Sequence, residues 1–160
     1  MHIDYLAEHV ELVPSIAQWQ LGEWGHLTDS DSLDARIAML NDRLNRDRVP
    51  LVLVALSGSA PIGTVSLLDN DLAARPQLRP WLAQLFVPEE LRRQGIGTAL
   101  VHRGIEEAWK LDFDHLYSVT WDHESLAKSS GWELVEHVDT AGKRAAVMRI
   151  SRRVGHGSAP

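Results

Sequence analysis

The apolar and polar positions along the chain follow two periods, one typical of helices and one typical of strands. Apolar residues at spacings of three and four indicate helices, and short apolar runs between turn signals indicate strands. The pattern predicts a strand, two helices, three strands, a helix, a strand, a helix and two strands. These elements are expected at residues 2–6, 13–24, 32–46, 51–56, 62–68, 81–87, 95–111, 115–120, 122–130, 132–138 and 144–150. Ser30 or Asp31 is expected to cap the second helix, and Asp122 the last.

The sixth and seventh of these elements and the turn between them carry the clearest chemical signal. The apolar run 81–87 suits a buried strand, and a polar turn follows over residues 88–94. Gly95 and Gly97 then open a long amphipathic helix. Backbone N–H groups at the start of a helix lack intrahelical partners and lie at its positive end. An anion fits such a turn, and phosphate is the usual one.

Residues 92–97, with the sequence RRQGIG, match the pattern Arg/Gln-x-x-Gly-x-Gly/Ala in the strand-turn-helix context that such a motif requires. The chain thereby resembles the GNAT superfamily of N-acetyltransferases, in which this pattern marks the acyl-CoA-binding segment. The resemblance extends over about residues 2–150 and is most specific at residues 85–100. It implies an α/β (α+β) fold, the GNAT fold. Its mixed central sheet of about six to seven strands is flanked by about four helices and splayed at the central strand.

The resemblance also implies which residues bind acetyl-CoA, the cosubstrate of these enzymes. The pantetheine arm would pair with the backbone of the central strand, and the pyrophosphate would lie on the glycine-containing turn. A backbone N–H near Leu85 or Phe86 would stabilise the oxyanion. The expected cofactor-binding residues are Leu85, Phe86, Val87, Arg92, Arg93, Gln94, Gly95, Ile96, Gly97 and Thr98.

The implied reaction is acyl transfer to an amine, which arrives protonated because its pKa is about 10.4. His123 is the predicted base, since an imidazole pKa of about 6.5 suits proton transfer; a helix-starting role for His123, or a water chain, is the alternative. Many GNAT enzymes have a tyrosine acid four residues before a Gly-aromatic pair. Here that pair is Gly131-Trp132, and the tyrosine position holds Ala127. Tyr117 is the candidate substitute, with a core role as its alternative.

The acceptor side should be formed by the first two helices and the loop before the central strand. Tryptophan beside carboxylates can recognise a cation, although core packing is the alternative for each tryptophan. The candidates are Trp19, Trp24, His26, Asp69, Asp71 and Trp81.

The bulk properties add several exclusions. The chain has 160 residues, and we expect one domain over residues 1–151 and a disordered tail over residues 152–160. The absence of cysteine excludes disulfides and a cysteine nucleophile, and the histidine spacing predicts no metal site. A net charge of −6 disfavours a nucleic-acid partner. Without a signal-like or membrane-length apolar segment we expect a cytoplasmic protein with no membrane partner. A homodimer is left open.

Three functions are therefore weighed. The first is an acetyl-CoA-dependent N-acetyltransferase that modifies a primary amine of a small molecule or peptide. The second is a non-catalytic acyl-CoA-binding or regulatory module, which the alanine at position 127 motivates. The third is a GNAT toxin that acetylates aminoacyl-tRNA, which the acidic charge balance disfavours.

Overall fold

The computed structural model describes residues 1–153, which form seven strands and four α-helices in the predicted order. The strands are β1 His2–Tyr5, β2 Leu51–Ser57, β3 Ala60–Leu68, β4 Trp81–Phe86, β5 His115–Thr120, β6 Glu133–Thr140 and β7 Lys143–Ser151. The helices are α1 Val13–Trp24, α2 Leu33–Asn41, α3 Ile96–Lys110 and α4 Glu124–Ser129. The predicted α/β fold with a mixed sheet is confirmed.

All strands lie in one sheet, in the order β1-β2-β3-β4-β5-β7-β6. Neighbouring strands are antiparallel except for β4 and β5, which are parallel and share only the pair Trp81 and Tyr117. The last link between them is a hydrogen bond of 3.1 Å from Ser118 Oγ to the Leu82 carbonyl oxygen. Beyond Leu82 the two strands separate, so the predicted splay at the central strand is present.

The helices cover the two faces of the sheet. On one face α3 packs on the central strands through a core that contains Leu82, Leu100 and Leu116. On the other face α1 and α2 enclose a second core around Ile16 and Leu40. Residues of α3 can therefore contact β4 from one face of the sheet, and residues of α1 and α2 from the other.

Two predicted helix starts were wrong. Ser32 caps α2, because its Oγ accepts a hydrogen bond of 3.0 Å from the Ala35 N–H; neither Ser30 nor Asp31 does so. The helix also ends at Asn41, well before residue 46, where Asn41 and the following Asp42 favour turns over helix. His123, with no side-chain capping bond, occupies the N-cap position of α4 that was predicted for Asp122.

At the C-terminal end, β7 runs to Ser151. Residues 154–160 of the predicted tail lie outside the described residues. Within residues 1–153, no helix combines the length and apolar character needed to cross a lipid bilayer.

Candidate active site

A cleft of about 470 Å³ opens where β4 and β5 separate, beside the first turn of α3. Every predicted cofactor-binding residue except Gln94 lines it, together with Glu23, Leu91 and His123. Leu85 is 42% exposed here although it belongs to the central strand. The free edge of a strand offers backbone N–H and C=O groups for pairing with an extended ligand.

The turn before α3 places backbone donors at this cleft. Gly95 is the N-cap of α3 with φ +84°, a left-handed conformation that glycine adopts without steric cost, and no side chain caps the helix. Within residues 1–153, the N–H groups of the first helical turn thus have no side-chain partner. A Cβ at Gly97 would lie 3.9 Å from both the Leu85 and the Val87 side chains, inside the cleft. The residue types therefore suit an anion held close to the backbone.

Arg92 ties the turn to the end of β4. Its Nε donates a hydrogen bond of 2.8 Å to the Val87 carbonyl oxygen, and its guanidinium carbon lies 5.9 Å from the centroid of the Phe86 ring. The neighbouring Arg93 has φ +65° and is exposed at the cleft. Both arginines therefore add positive charge where the backbone donors point.

The two candidate catalytic residues lie in different surroundings. His123 is exposed at the cleft, and its backbone N–H donates a hydrogen bond of 3.0 Å to Thr120 Oγ1. Tyr117 is 6% exposed, packs with its ring centroid 5.6 Å from that of Trp81, and does not line the cleft. Ala127 is half-buried against the core. The structure thus brings His123, and not Tyr117, to the predicted cofactor residues.

A polar group lies on the other side of β4 and centres on Gln84. Gln84 has φ +56°, and the pairing of β3 with β4 shifts register between Thr64 and Ser66, so β4 carries a bulge here. Gln84 Oε1 accepts hydrogen bonds from Arg43 Nη1 at 2.8 Å, Ser66 Oγ at 3.3 Å and Gln20 Nε2 at 3.4 Å. The bulge therefore joins β4 to α1, β3 and the segment that follows α2.

Asp71 completes this group from the loop after β3. Desolvation by the surrounding protein raises the pKa of Asp71 to about 6, and the positive charge of Arg43 opposes the rise. Asp71 as a whole residue is nevertheless exposed. We call Gln20, Arg43, Ser66, Asp71 and Gln84 the Gln84 cluster.

A sequence model of the "Acetyltransferase (GNAT) family" matches residues 13–128. The chain belongs to the GNAT acetyltransferase family. The resemblance predicted from the RRQGIG segment is therefore confirmed. No curated protein sequence matches the chain.

Solved structures show the same GNAT fold. The Salmonella typhimurium protein yncA, solved with its cofactor acetyl-CoA, has a TM-score of 0.75 at 16% identity, covering 94% of this chain and 93% of its own. A ribosomal-protein-alanine N-acetyltransferase from Brucella melitensis has a TM-score of 0.73 at 20% identity, covering 95% and 100%. An aminoglycoside 6'-N-acetyltransferase complexed with coenzyme A has a TM-score of 0.73 at 13% identity, covering 94% and 97%.

The acceptor candidates of this GNAT protein are dispersed. Trp19 and Trp24 pack on Phe86 with ring centroids 5.4 and 6.5 Å apart, which places α1 against the bulged end of β4. Trp81 is fully buried in the core. The exposed Asp69 pairs with Arg79 through an Nη2–Oδ1 contact of 2.5 Å. His26 is exposed in the short helical turn after α1. Asp71 is the candidate that joins the Gln84 cluster.

Five residues near the site were not predicted from sequence. Glu23 of α1 and Leu91 line the cleft, and Gln20, Arg43 and Ser66 donate hydrogen bonds to Gln84 from other parts of the chain. One signal was available, because Gln84 is the single polar residue in the apolar run 81–87. Nothing in the sequence indicated which residues would meet it.

Proposed function

We propose that this GNAT protein transfers an acetyl group from acetyl-CoA to a primary amine of a small molecule or peptide. The observation that carries the proposal is the cleft between the separated strands β4 and β5, with the uncapped N-terminus of α3 beside it. It offers an open strand edge and an anion-binding turn in one continuous space. Neighbours of the same fold solved with coenzyme A or acetyl-CoA support this use.

The chain's residues fit this cosubstrate in two parts. The backbone of Leu85 and Val87 would pair with the amide groups of the pantetheine arm at the free edge of β4. The N–H groups of the turn from Gly95 to Thr98 would hold the pyrophosphate, with Arg92 and Arg93 adding attraction. Acetyl-CoA, when bound, supplies a thioester that an amine can attack.

The remaining chemistry falls to the protein and to the pKa values of the reacting groups. His123 would take the proton from the incoming ammonium group, because it is exposed at the cleft. A backbone N–H of Leu85 or Phe86 would stabilise negative charge developing on the acyl oxygen. A thiol pKa of about 8.5 lets the sulfur leave as thiolate without the tyrosine that Ala127 replaces.

The proposal is tested by following free thiol while purified protein is given acetyl-CoA and a panel of primary amines. We expect thiol release that depends on one class of amine, with mass spectrometry showing an added acetyl group on that amine. CoA binding by calorimetry together with no thiol release from any amine would instead identify a non-catalytic acyl-CoA-binding module.

The role of His123 is tested by the pH dependence of the rate. His123→Ala should lower kcat/KM by about tenfold or more at pH 7, and less at pH 9.5, where more of the amine is already deprotonated. His102→Ala, which removes an exposed imidazole on α3, is the matched control and should leave the profile unchanged. If His123→Ala has the same pH–rate profile as the wild type, His123 is not the base.

A further inference from the structure

Arg43 is a partly buried cation whose hydrogen-bonding capacity is largely unused. Within residues 1–153 its side chain makes one hydrogen bond, to the neutral Gln84 oxygen, and no salt bridge. By contrast, Arg36 forms three hydrogen bonds to the carboxylate of Asp31. Burial lowers the pKa of Arg43 below the usual arginine value. A guanidinium in this state is suited to a bidentate anionic group.

Asp71 carries the opposite charge close to Arg43. It lies close enough for each group to shift the pKa of the other, yet the two form no hydrogen bond. Its carboxylate makes no hydrogen bond or salt bridge to any other residue of the described part of the chain. Within residues 1–153, Arg43 therefore has one neutral hydrogen-bond partner and the carboxylate of Asp71 has none, although the two charges act on each other.

The polar network around these charges is also incomplete. Gln20 is fully buried, and its Oε1 has no hydrogen-bond partner among residues 1–153. Gln84 Oε1, in contrast, accepts from three donors. Leaving a buried amide oxygen unpaired costs about 1–3 kcal/mol. In native proteins such groups are rare, and strain, a functional role, a water or an ion accounts for them.

The position of the cluster relates it to the reaction. Gln84 immediately precedes Leu85 in β4, and Leu85 lines the cleft. The bulge at Gln84 turns its side chain towards α1 and β3 while Leu85 stays against α3. A molecule in the Gln84 cluster would thus approach the reacting end of the cleft from the opposite face of the sheet.

From these observations we propose that the Gln84 cluster is the acceptor site and that it selects a small zwitterionic amine, such as a free α-amino acid. Asp71 receives the ammonium group, and Arg43 receives the carboxylate. This inference rests on the proposed acetyl transfer and names its acceptor class. A polycation would be repelled by Arg43, and the N-terminus of a long peptide would bring no carboxylate to it.

A matched substrate series tests the inference. The twenty standard amino acids are compared with their amides, in which the carboxylate is neutral and the amine is retained. For the preferred side chain we expect kcat/KM to fall by tenfold or more from the acid to the amide. Arg43→Gln should remove this difference by lowering the rate for the acid alone, and Arg43→Lys should restore part of it. Arg46→Gln, which changes an exposed arginine in the same segment, should keep the wild-type preference.

Asp71→Asn tests recognition of the ammonium end of the ligand separately from recognition of its carboxylate. It should raise KM for the acid and the amide alike, because both carry the ammonium group. Circular dichroism and a melting curve confirm that each variant is folded before its rates are compared.

Binding is measured separately from turnover, so that the two proposals can fail independently. Calorimetry titrates the preferred amino acid and its amide into the CoA-loaded protein, and the acid should bind tenfold or more tightly. If neutral amides or simple amines are bound and acetylated as well as the acids, and Arg43→Gln changes neither, the inference is overturned while acetyl transfer stands. If amino acids bind but no amine is acetylated, the acceptor site is supported and the proposed enzymatic function fails. If neither acids nor amides bind to the CoA-loaded protein, the acceptor assignment is overturned.

Discussion

At the scale of single residues, the ion pair between Asp31 and Arg36 is largely shielded from water. The two side chains are 6% and 9% exposed, and they are joined by contacts of 2.7 to 3.1 Å. These hydrogen bonds lower the pKa of Asp31 below its usual value, and the Ser32 N–H adds to the effect. The charged form of Asp31 therefore stabilises the start of α2.

Asp31→Asn is expected to lower the free energy of unfolding by about 2 kcal/mol at pH 7, between the values typical of exposed and of buried pairs. Since the folded-state pKa of Asp31 is lowered, its contribution is present above pH 3.8 and is lost as the pH falls further. Urea unfolding at pH 7, 5 and 3.5 measures this. Asp69→Asn breaks an exposed pair and should cost at most about 1 kcal/mol. Equal losses in both variants would contradict the expectation.

At the scale of elements, α3 contacts the sheet most closely at a glycine, Gly104. A Cβ at Gly104 would come within 2.5 Å of Leu82 Cδ1 and 3.5 Å of Leu67 Cδ1. The helix approaches β3 and β4 closely because this position has no side chain. The cleft beside the first turn of α3 depends on the same placement.

Gly104→Ala should destabilise the protein by about 1–2 kcal/mol, because overpacking in the core outweighs the gain of about 1 kcal/mol in helix propensity. Gly22→Ala is the matched control, since Gly22 is an exposed position of α1 with no atom within 4 Å of an added Cβ. The control should stabilise by about 0.5–1 kcal/mol. Urea unfolding of both variants decides between propensity and packing: a stabilised Gly104→Ala would show that Leu82 moves aside freely.

Elements of this kind were predictable where the signal is local. The period of α3 and the apolar runs of β2 and β4 are written in residues that are neighbours in sequence. The cap of α2 was not predicted correctly, because capping depends on which polar side chain reaches a particular N–H, and here Ser32 does so. Nine of the ten expected cofactor residues line the cleft, Gln94 being the exception, because the segment is contiguous and its geometry is set by one turn.

At the scale of the whole molecule, the separation of β4 from β5 creates the cleft. β4 is paired with β3 along its length but with β5 only at Trp81 and Tyr117. Among the strands of residues 1–153, the backbone groups near the C-terminal end of β4 that face β5 therefore have no partner. A bound pantetheine arm would fill this gap in the sheet.

Acetyl-CoA is accordingly expected to slow amide hydrogen exchange at residues 85–87 and 95–98 by tenfold or more. The reference is β2, which is already paired on both sides by β1 and β3 and should exchange at the same rate with and without ligand. Mass spectrometry of peptic fragments makes the comparison. Equal protection of β2 and of residues 85–87 and 95–98 would indicate global stabilisation instead of local pairing. Protection of neither 85–87 nor 95–98 would place the ligand elsewhere.

The sequence by itself determined the order of the elements, the GNAT resemblance and the segment that offers an anion site, since each depends on residues close together in the chain. Tertiary structure alone decided which distant residues meet. Gln20, Arg43 and Ser66 come from three separate segments, and all three donate hydrogen bonds to Gln84 at the bulge of β4. Tertiary structure also decided that His123 lines the cleft whereas Tyr117 packs in the core. A local period fixes the face of an element, whereas the partners across that face are set by packing of the whole chain.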